Sequence, residues 1–169
     1  MALSDYANRK YDYLALRNVN TKKKTRLGLE LFNETDNGAI CVGPQKLAQR
    51  WLLEFMTEVG SMPGKPKRGC NFMRAARTGK FLTKLNVETE FSFSAVVVRR
   101  NLINEEYADM PDDERFLSAE LLSSTIVPDN TVGQKTATSA TYLQLRVKIN
   151  SRAGSSRQVV VPIEIIPQA

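Results

Sequence analysis

Two glutamates one helical turn apart, Glu54 and Glu58, come nearest in these 169 residues to a catalytic pair. Glycoside hydrolysis needs two carboxylates converging across a sugar. The spacing instead sets both on the polar side of one helix, where they read as a solvated face. A second cluster, Glu105, Glu106, Asp109 and Asp112–Glu114, surrounds Pro111 and could hold a carboxylate pair or a hard cation, but it lacks an EF-hand pattern. The chain contains no histidine, so a serine or cysteine nucleophile has no imidazole base. A metal would need carboxylates or two thiolates, and Cys41 and Cys70 are not in C-x-x-C spacing. Gly64 to Gly69 spells G-x-x-x-x-G, yet Cys70-Asn71 stands where a phosphate-binding loop needs Lys and Ser or Thr. The expectation is no catalysis, no cofactor and no metal.

Binding chemistry is better represented. Lys65, Lys67, Arg68, Arg74, Arg77 and Lys80 surround Phe72 and Phe81, the composition of a basic groove with stacking aromatics. The net charge of +6 is unevenly distributed. Residues 1–30 carry seven Lys/Arg against three acids, and residues 44–84 carry nine against two. Residues 101–120 reverse the sign, with seven acids and one arginine. A nucleic-acid footprint does not need that acidic block, whereas a subunit with complementary patches for its neighbours does. A nucleic-acid-binding module using residues 65–80 is therefore the second reading, behind a structural assembly subunit.

The elements that would position these groups follow from periodicity. Leu47, Trp51, Phe55 and Val59 recur every four residues beside Ala48, Leu52 and Met56, which predicts a helix over 44–59 with Pro44 in its first turn and Gly60 as its stop. Pro63, Gly64, Pro66 and Gly69 then predict a tightly bent loop. Over 85–104 two patterns compete. Alternation of Leu85, Val87, Phe91, Phe93, Ala95 and Val97 suits a strand, while Val87, Phe91, Ala95, Val98 and Leu102 keep a helical period. Some twenty residues without Gly or Pro exceed a normal strand, so 87–106 is taken as a helix.

Residues 115–127 suit a strand with a bulge, 128–141 an exposed loop, and 142–150 a strictly alternating strand. Gly154 centres a turn into a last strand whose Pro162 marks it as an edge. Leu27, Leu29 and Leu31 predict a strand returning through Asp36-Asn37-Gly38 to 39–42. Residues 3–17 suggest a short helix within an N-terminal arm, 1–24, that orders on a partner. The fold class is α+β: one small domain, 25–169, with a central amphipathic helix, a second helix and a C-terminal antiparallel sheet or hairpin. No apolar run is long enough for a membrane, and residues 1–17 lack the pattern of a secretory signal. Both cysteines are expected to stay reduced.

Thr57, Gly60, Pro66 and Gly69 form T-x2-G-x5-P-x2-G directly after the amphipathic helix. This block resembles the baseplate wedge family of contractile phage tails, the small sheath-initiator proteins once described as lysozyme-like. There it is followed, some forty residues on, by a Glu-Pro-Arg signature. Here Asp113, Glu114 and Arg115 occupy that place, so the arginine fits, Asp113 can stand for the glutamate and the proline is absent. Gly60-Ser61 also departs from the family's usual Gly-Glu. The resemblance covers about residues 44–125 and itself implies a helix near 87–106.

The resemblance further implies a virion protein of the tail baseplate, assembled in the host cytoplasm as six copies per ring. Its partners would be other wedge proteins, the tail sheath protein and the tail tube, with no membrane. It would initiate sheath by offering a strand edge in the C-terminal hairpin, here Leu143, Leu145, Val147, Ile149, Val160 and Ile163. Arg115 would pair with Asp113 and lock the acidic loop to the strand that follows.

Overall fold

Strict alternation in Thr141–Ser151 makes β6, the central strand of a three-stranded antiparallel sheet ordered β5-β6-β7. Its flanking strands are β5, Phe116–Pro128, and β7, Ser156–Ile165. Leu143, Leu145, Val147 and Ile149 all point to one face and are buried, because side chains two apart share a face. In β5 the register shifts between Phe116 and Ser118 and again between Leu121 and Ser123, so the expected bulge is present twice. The turn from β6 to β7 passes through Gly154 at φ +79°. Pro162 pairs opposite Gln144 on an outer strand of this sheet, where a missing N–H is tolerated.

Three helices complete the described architecture: α1, Gly43–Met56; α2, Phe72–Arg77; and α3, Lys84–Asn104. The structure, a computed structural model, describes residues 9–10, 12–13, 16–21, 24–29, 40–128 and 141–165. Pro44 sits in the first turn of α1 as expected. Thr83 caps α3, its hydroxyl accepting from the Asn86 N–H at 3.2 Å. The helices close on the sheet through stacked and tilted aromatic rings. Trp51 stacks on Phe55 at 4.7 Å, Phe55 meets Phe72 at 4.7 Å, and Phe72 meets Phe81 at 4.8 Å. With the inward face of β6 they form a single core, and the fold is α+β.

The helical assignment of 87–106 holds, with α3 starting three residues earlier. Residues 72–77, which show only an irregular apolar pattern in sequence, form α2.

The N-terminal reading needs correction. Asp12–Tyr13 (β1) pairs with Ile40–Cys41 (β4), and Leu16–Thr21 (β2) pairs with Lys24–Leu29 (β3). Thus 12–13 and 16–17 are extended and not helical, and Leu27 pairs with Asn18 and not with residues 39–42. The physical reason is local: Val19, Thr21 and Thr25 are strand formers on either side of a short connection, and a short hairpin closes with little loop entropy. The expected arm boundary at residue 24 falls on the first residue of β3. Asp36-Asn37-Gly38 and the loop 129–140 lie outside the described residues, as do residues 3–8, 11 and 14–15. β3 lies within 8 Å of β7, Cα to Cα, without joining its ladder.

Candidate functional site

The two motif blocks singled out in sequence, Thr57–Gly69 and Asp113–Arg115, meet the two ends of α1. At its C-terminal end, Thr57 stops the helix: its backbone turns extended, and both its N–H (3.0 Å) and its hydroxyl (2.6 Å) donate to Leu53 O. The chain then loops out and returns to the same residue. Cys70 N–H donates to Thr57 O at 2.9 Å and Val59 N–H to Cys70 O at 3.1 Å, forming a parallel bridge between Glu58 and Cys70. Inside the loop, Gly60 N–H donates to Pro66 O at 3.1 Å. Main chain thus joins Gly60 to Pro66 directly and Thr57 to Cys70, the residue after Gly69.

Gly69 explains why the motif ends in glycine. Its φ is +86°, and a Cβ there would lie 2.3 Å from Thr57 O. Only hydrogen fits.

A buried carboxylate locks the closed loop. Glu54 is 1% exposed. Its Oε1 accepts from Gly69 N–H at 2.7 Å and from Asn101 Nδ2 at 2.6 Å, while Oε2 accepts from Arg68 Nε at 2.6 Å. Arg68 also reaches Glu105, which stands 3.7 Å from Arg50. The solvated face expected for Glu54 is thus overturned. Glu58, also expected there, is largely covered and pairs with Arg74 and Arg77. Glu54 is saturated by donors and Glu58 is tied to two arginines, so the two do not converge on a common cleft.

At the N-terminal end, α1 has no side-chain cap and no acid in its first turn. Glu114, 1% exposed, supplies both from the acidic loop. Its Oε1 accepts from Gly43 N–H at 3.1 Å, and its Oε2 takes Lys46 Nζ at 2.8 Å. A carboxylate here satisfies an orphan donor and complements the helix dipole. Lys46 Nζ also donates to Lys10 O at 2.6 Å, and Lys10 lies over the Tyr107 ring at 4.5 Å.

Asp113 does not pair with Arg115. One Arg9 nitrogen, Nη1, donates to both Asp113 oxygens at 2.7 Å. Arg115 folds back instead, donating to Ala108 O at 2.7 Å, with Asp112 at 3.5 Å. Its main-chain O receives Arg152 N–H at 3.0 Å, which ties the loop to the β6–β7 turn. The two side chains leave a turn closed by Glu114 N–H to Pro111 O and so diverge.

The charge segregation seen in sequence is largely consumed within the chain. Glu105, Glu106, Asp112, Asp113 and Glu114 each meet a cation: Arg68, Arg152, Arg115, Arg9 and Lys46 respectively. The basic segment 65–80 is likewise divided. Arg68 turns inward, Arg74 and Arg77 hold Glu58, and Phe72 and Phe81 are core residues. Neither ring is available to stack on a base.

The expected docking edge divides too. Leu143, Leu145, Val147 and Ile149 belong to β6, which is laddered on both sides, so β6 offers no edge. Val160 and Ile163 lie on β7, at the end of the sheet order. Cys41 and Cys70 are free and buried. Burial, then the neighbouring Asp12, pushes the Cys41 thiol up to about 11, and burial also raises Cys70.

Sequence reasoning assigned no role to Lys46, Asn101 and Arg9, and gave Glu54 a solvated face and Arg68 a basic groove instead of the buried cluster they form. For Glu54 a signal existed. It stands seven residues after Leu47 and three after Trp51, within the arc of the apolar face. Compared with family models, with characterised proteins and with solved structures, the chain matches none.

Proposed function

We propose that this protein is a structural subunit of a contractile phage tail, a baseplate wedge component that joins the baseplate to the first sheath ring and initiates sheath assembly. The observation that carries the reading is the paired use of α1. The motif residues Thr57, Gly60, Pro66 and Gly69 close on its C-terminal end, and Glu114, within the second motif, caps its N-terminal end. A helix clamped at both ends by loops gives a rigid body whose surfaces can be presented in fixed register, as a ring of six copies requires. Wedge proteins, the sheath protein and the tail tube are the partners in this reading, and the subunit performs no chemistry. The rival basic groove loses support because its aromatics are core and three of its cations are paired to glutamates.

Sheath would add strands to the outer edge of β7, which is unladdered among the described residues although β3 lies within 8 Å of the strand. Pro162 fits where an N–H is not needed by the β6 ladder, on the outward side. Val160, two residues earlier, therefore directs its N–H outward as well. Replacing it by proline removes an outward donor and spares the internal ladder. Purified Val160→Pro, checked by circular dichroism for a native spectrum, should fail to nucleate sheath on tail tubes with assembled baseplates. A natively folded variant that nucleates sheath normally refutes β7 as the dock. Normal sheath nucleation with the protein omitted altogether refutes the function.

A further inference from the structure

We infer that the cleft between α1 and residues 105–110 binds a small organic acid, its carboxylate received by Arg50 and its apolar body by Tyr107 and Met110. The proposal does not depend on the tail reading. Lys46, Arg50, Glu105, Tyr107 and Met110 line a cleft of about 380 Å³, at the lower end of the roughly 300–1,000 Å³ of small-molecule sites. Lys46 and Arg50 stand four residues apart on α1, so one face of the helix presents both cations to the cleft.

Arg50 is the side chain whose surroundings leave it unsatisfied. It is 17% exposed, and a covered guanidinium ordinarily finds acceptors for its N–H donors. Among the described residues its contacts are two, and both are long. Nη1 stands 3.7 Å from Met110 Sδ, and Nη2 stands 3.7 Å from Glu105 Oε2. A thioether is a weak acceptor, and the Glu105 distance is beyond a direct hydrogen bond. Glu105 is already held through its other oxygen by Arg68. Lys46 is in the opposite condition. Its ammonium donates to Glu114 Oε2 at 2.8 Å and to Lys10 O at 2.6 Å, which leaves one N–H. The cleft therefore offers an underused guanidinium fork beside a single spare ammonium donor.

These donors and their neighbours select the ligand. A guanidinium fork matches the two oxygens of a carboxylate in one plane. A phosphate dianion is attracted by the same cations, but Glu105 on the wall of the cleft repels its second charge. Tyr107 and Met110 set an aromatic ring and a thioether beside the cations. An aryl or alkyl group covers such surface, whereas a bare inorganic ion leaves it wet. Lys10 Nζ, 4.5 Å from the centre of the Tyr107 ring, adds its charge to the attraction for an anion.

The test titrates the isotope-labelled full chain with phenylacetate, phenylacetamide and inorganic phosphate at low salt, followed by NMR chemical shifts. Phenylacetate should bind about tenfold more tightly than phenylacetamide, because the amide forfeits the charge-assisted bonds to the fork. Arg50→Gln should abolish that preference and leave the thermal midpoint close to wild type, since Arg50 has no short bond to lose. Glu105→Gln should tighten phenylacetate binding several-fold, because the competing carboxylate is gone while Arg68 keeps Glu54. Equal binding of acid and amide overturns the proposal, as does a preference for the acid that survives Arg50→Gln. If Arg50→Gln does not fold, phenylacetate binding that is unchanged or weaker in Glu105→Gln overturns it instead. Phosphate binding more tightly than phenylacetate assigns the cleft to a phosphate group and also overturns it. So does the absence of binding by all three.

Discussion

Replacing Glu54 by glutamine should destabilise the protein by about 3 kcal/mol, and the same replacement at Glu58 by under about 1 kcal/mol. The contrast follows from surroundings and not from residue type. Glu54 is 1% exposed and receives three donors at 2.6–2.7 Å. Glutamine keeps the shape but turns one acceptor into a donor, which must face either Arg68 Nε or the Gly69 and Asn101 N–H groups. Removing one partner of a buried ion pair costs roughly 3–5 kcal/mol. Arg68 is a quarter exposed and retains Glu105, which places the cost at the lower end of that range. Glu58 is bound by two arginines whose side chains are 64% and 62% exposed. Pairs of that kind are worth a fraction of a kcal/mol each.

Urea unfolding followed by Trp51 fluorescence measures both variants, because Trp51 stacks in the core beside the site. Equal slopes with a shifted midpoint would show that stability alone has changed. If Glu54→Gln falls within about 0.5 kcal/mol of wild type, or matches Glu58→Gln, then the buried carboxylate does not lock the loop.

Gly69→Ala should cost about 3 kcal/mol or more in the same assay, because a Cβ meets Thr57 O and φ is positive, whereas Gly64→Ala, with open space around it, should cost about 1 kcal/mol. A double-mutant cycle should show coupling of about 0.5–1 kcal/mol between Arg9 and Asp113 and none between Asp113 and Arg115. Arg115→Lys should destabilise almost as much as Arg115→Ala, since a lysine cannot keep both the Ala108 carbonyl and Asp112 in the geometry of a planar guanidinium. Stability should fall with rising pH between about 9 and 11: the unfolded Cys41 thiol loses its proton first, so the folded state holds more protons across that window. The full effect of about 2–3 kcal/mol should be smaller in Cys41→Ala, which titration of the urea midpoint against pH would reveal.

Glu54 also shows why half of the site was hard to read. A helical wheel places it on the arc of Leu47 and Trp51, but a glutamate there is ordinarily assigned to solvent. What makes its burial tolerable is the convergence of Gly69, Arg68 and Asn101, 15, 14 and 47 residues away in sequence. No local pattern announces that convergence. The glycines and prolines of the loop were legible because they act through their own φ preferences. The acidic block misled for the converse reason. Its like charges look like a surface for neighbours until the cations from residues 9, 46, 68 and 152 are brought to it by the fold.

α3 was difficult for a different reason. Its strand-like alternation and its helical period are both real, and they come from different faces. Leu85 and Phe93 belong to an exposed outer stripe, while Val87 and Phe91 belong to the core. Interleaving two apolar arcs on opposite sides of a helix yields near-alternation in sequence, so period alone cannot separate the two structures. Length separated them here, since twenty-one residues make six turns of helix but would make an overlong strand. The stripe that confused the reading is also the part the fold leaves unburied. A lone helix stabilised only by its core contacts has no need of Phe93 or Val96 in water, and exposure of both carries a standing risk of aggregation. Neither side chain contributes to the core contacts that hold α3. Asp at either position should raise the solubility of the isolated chain while costing it nothing in thermal stability.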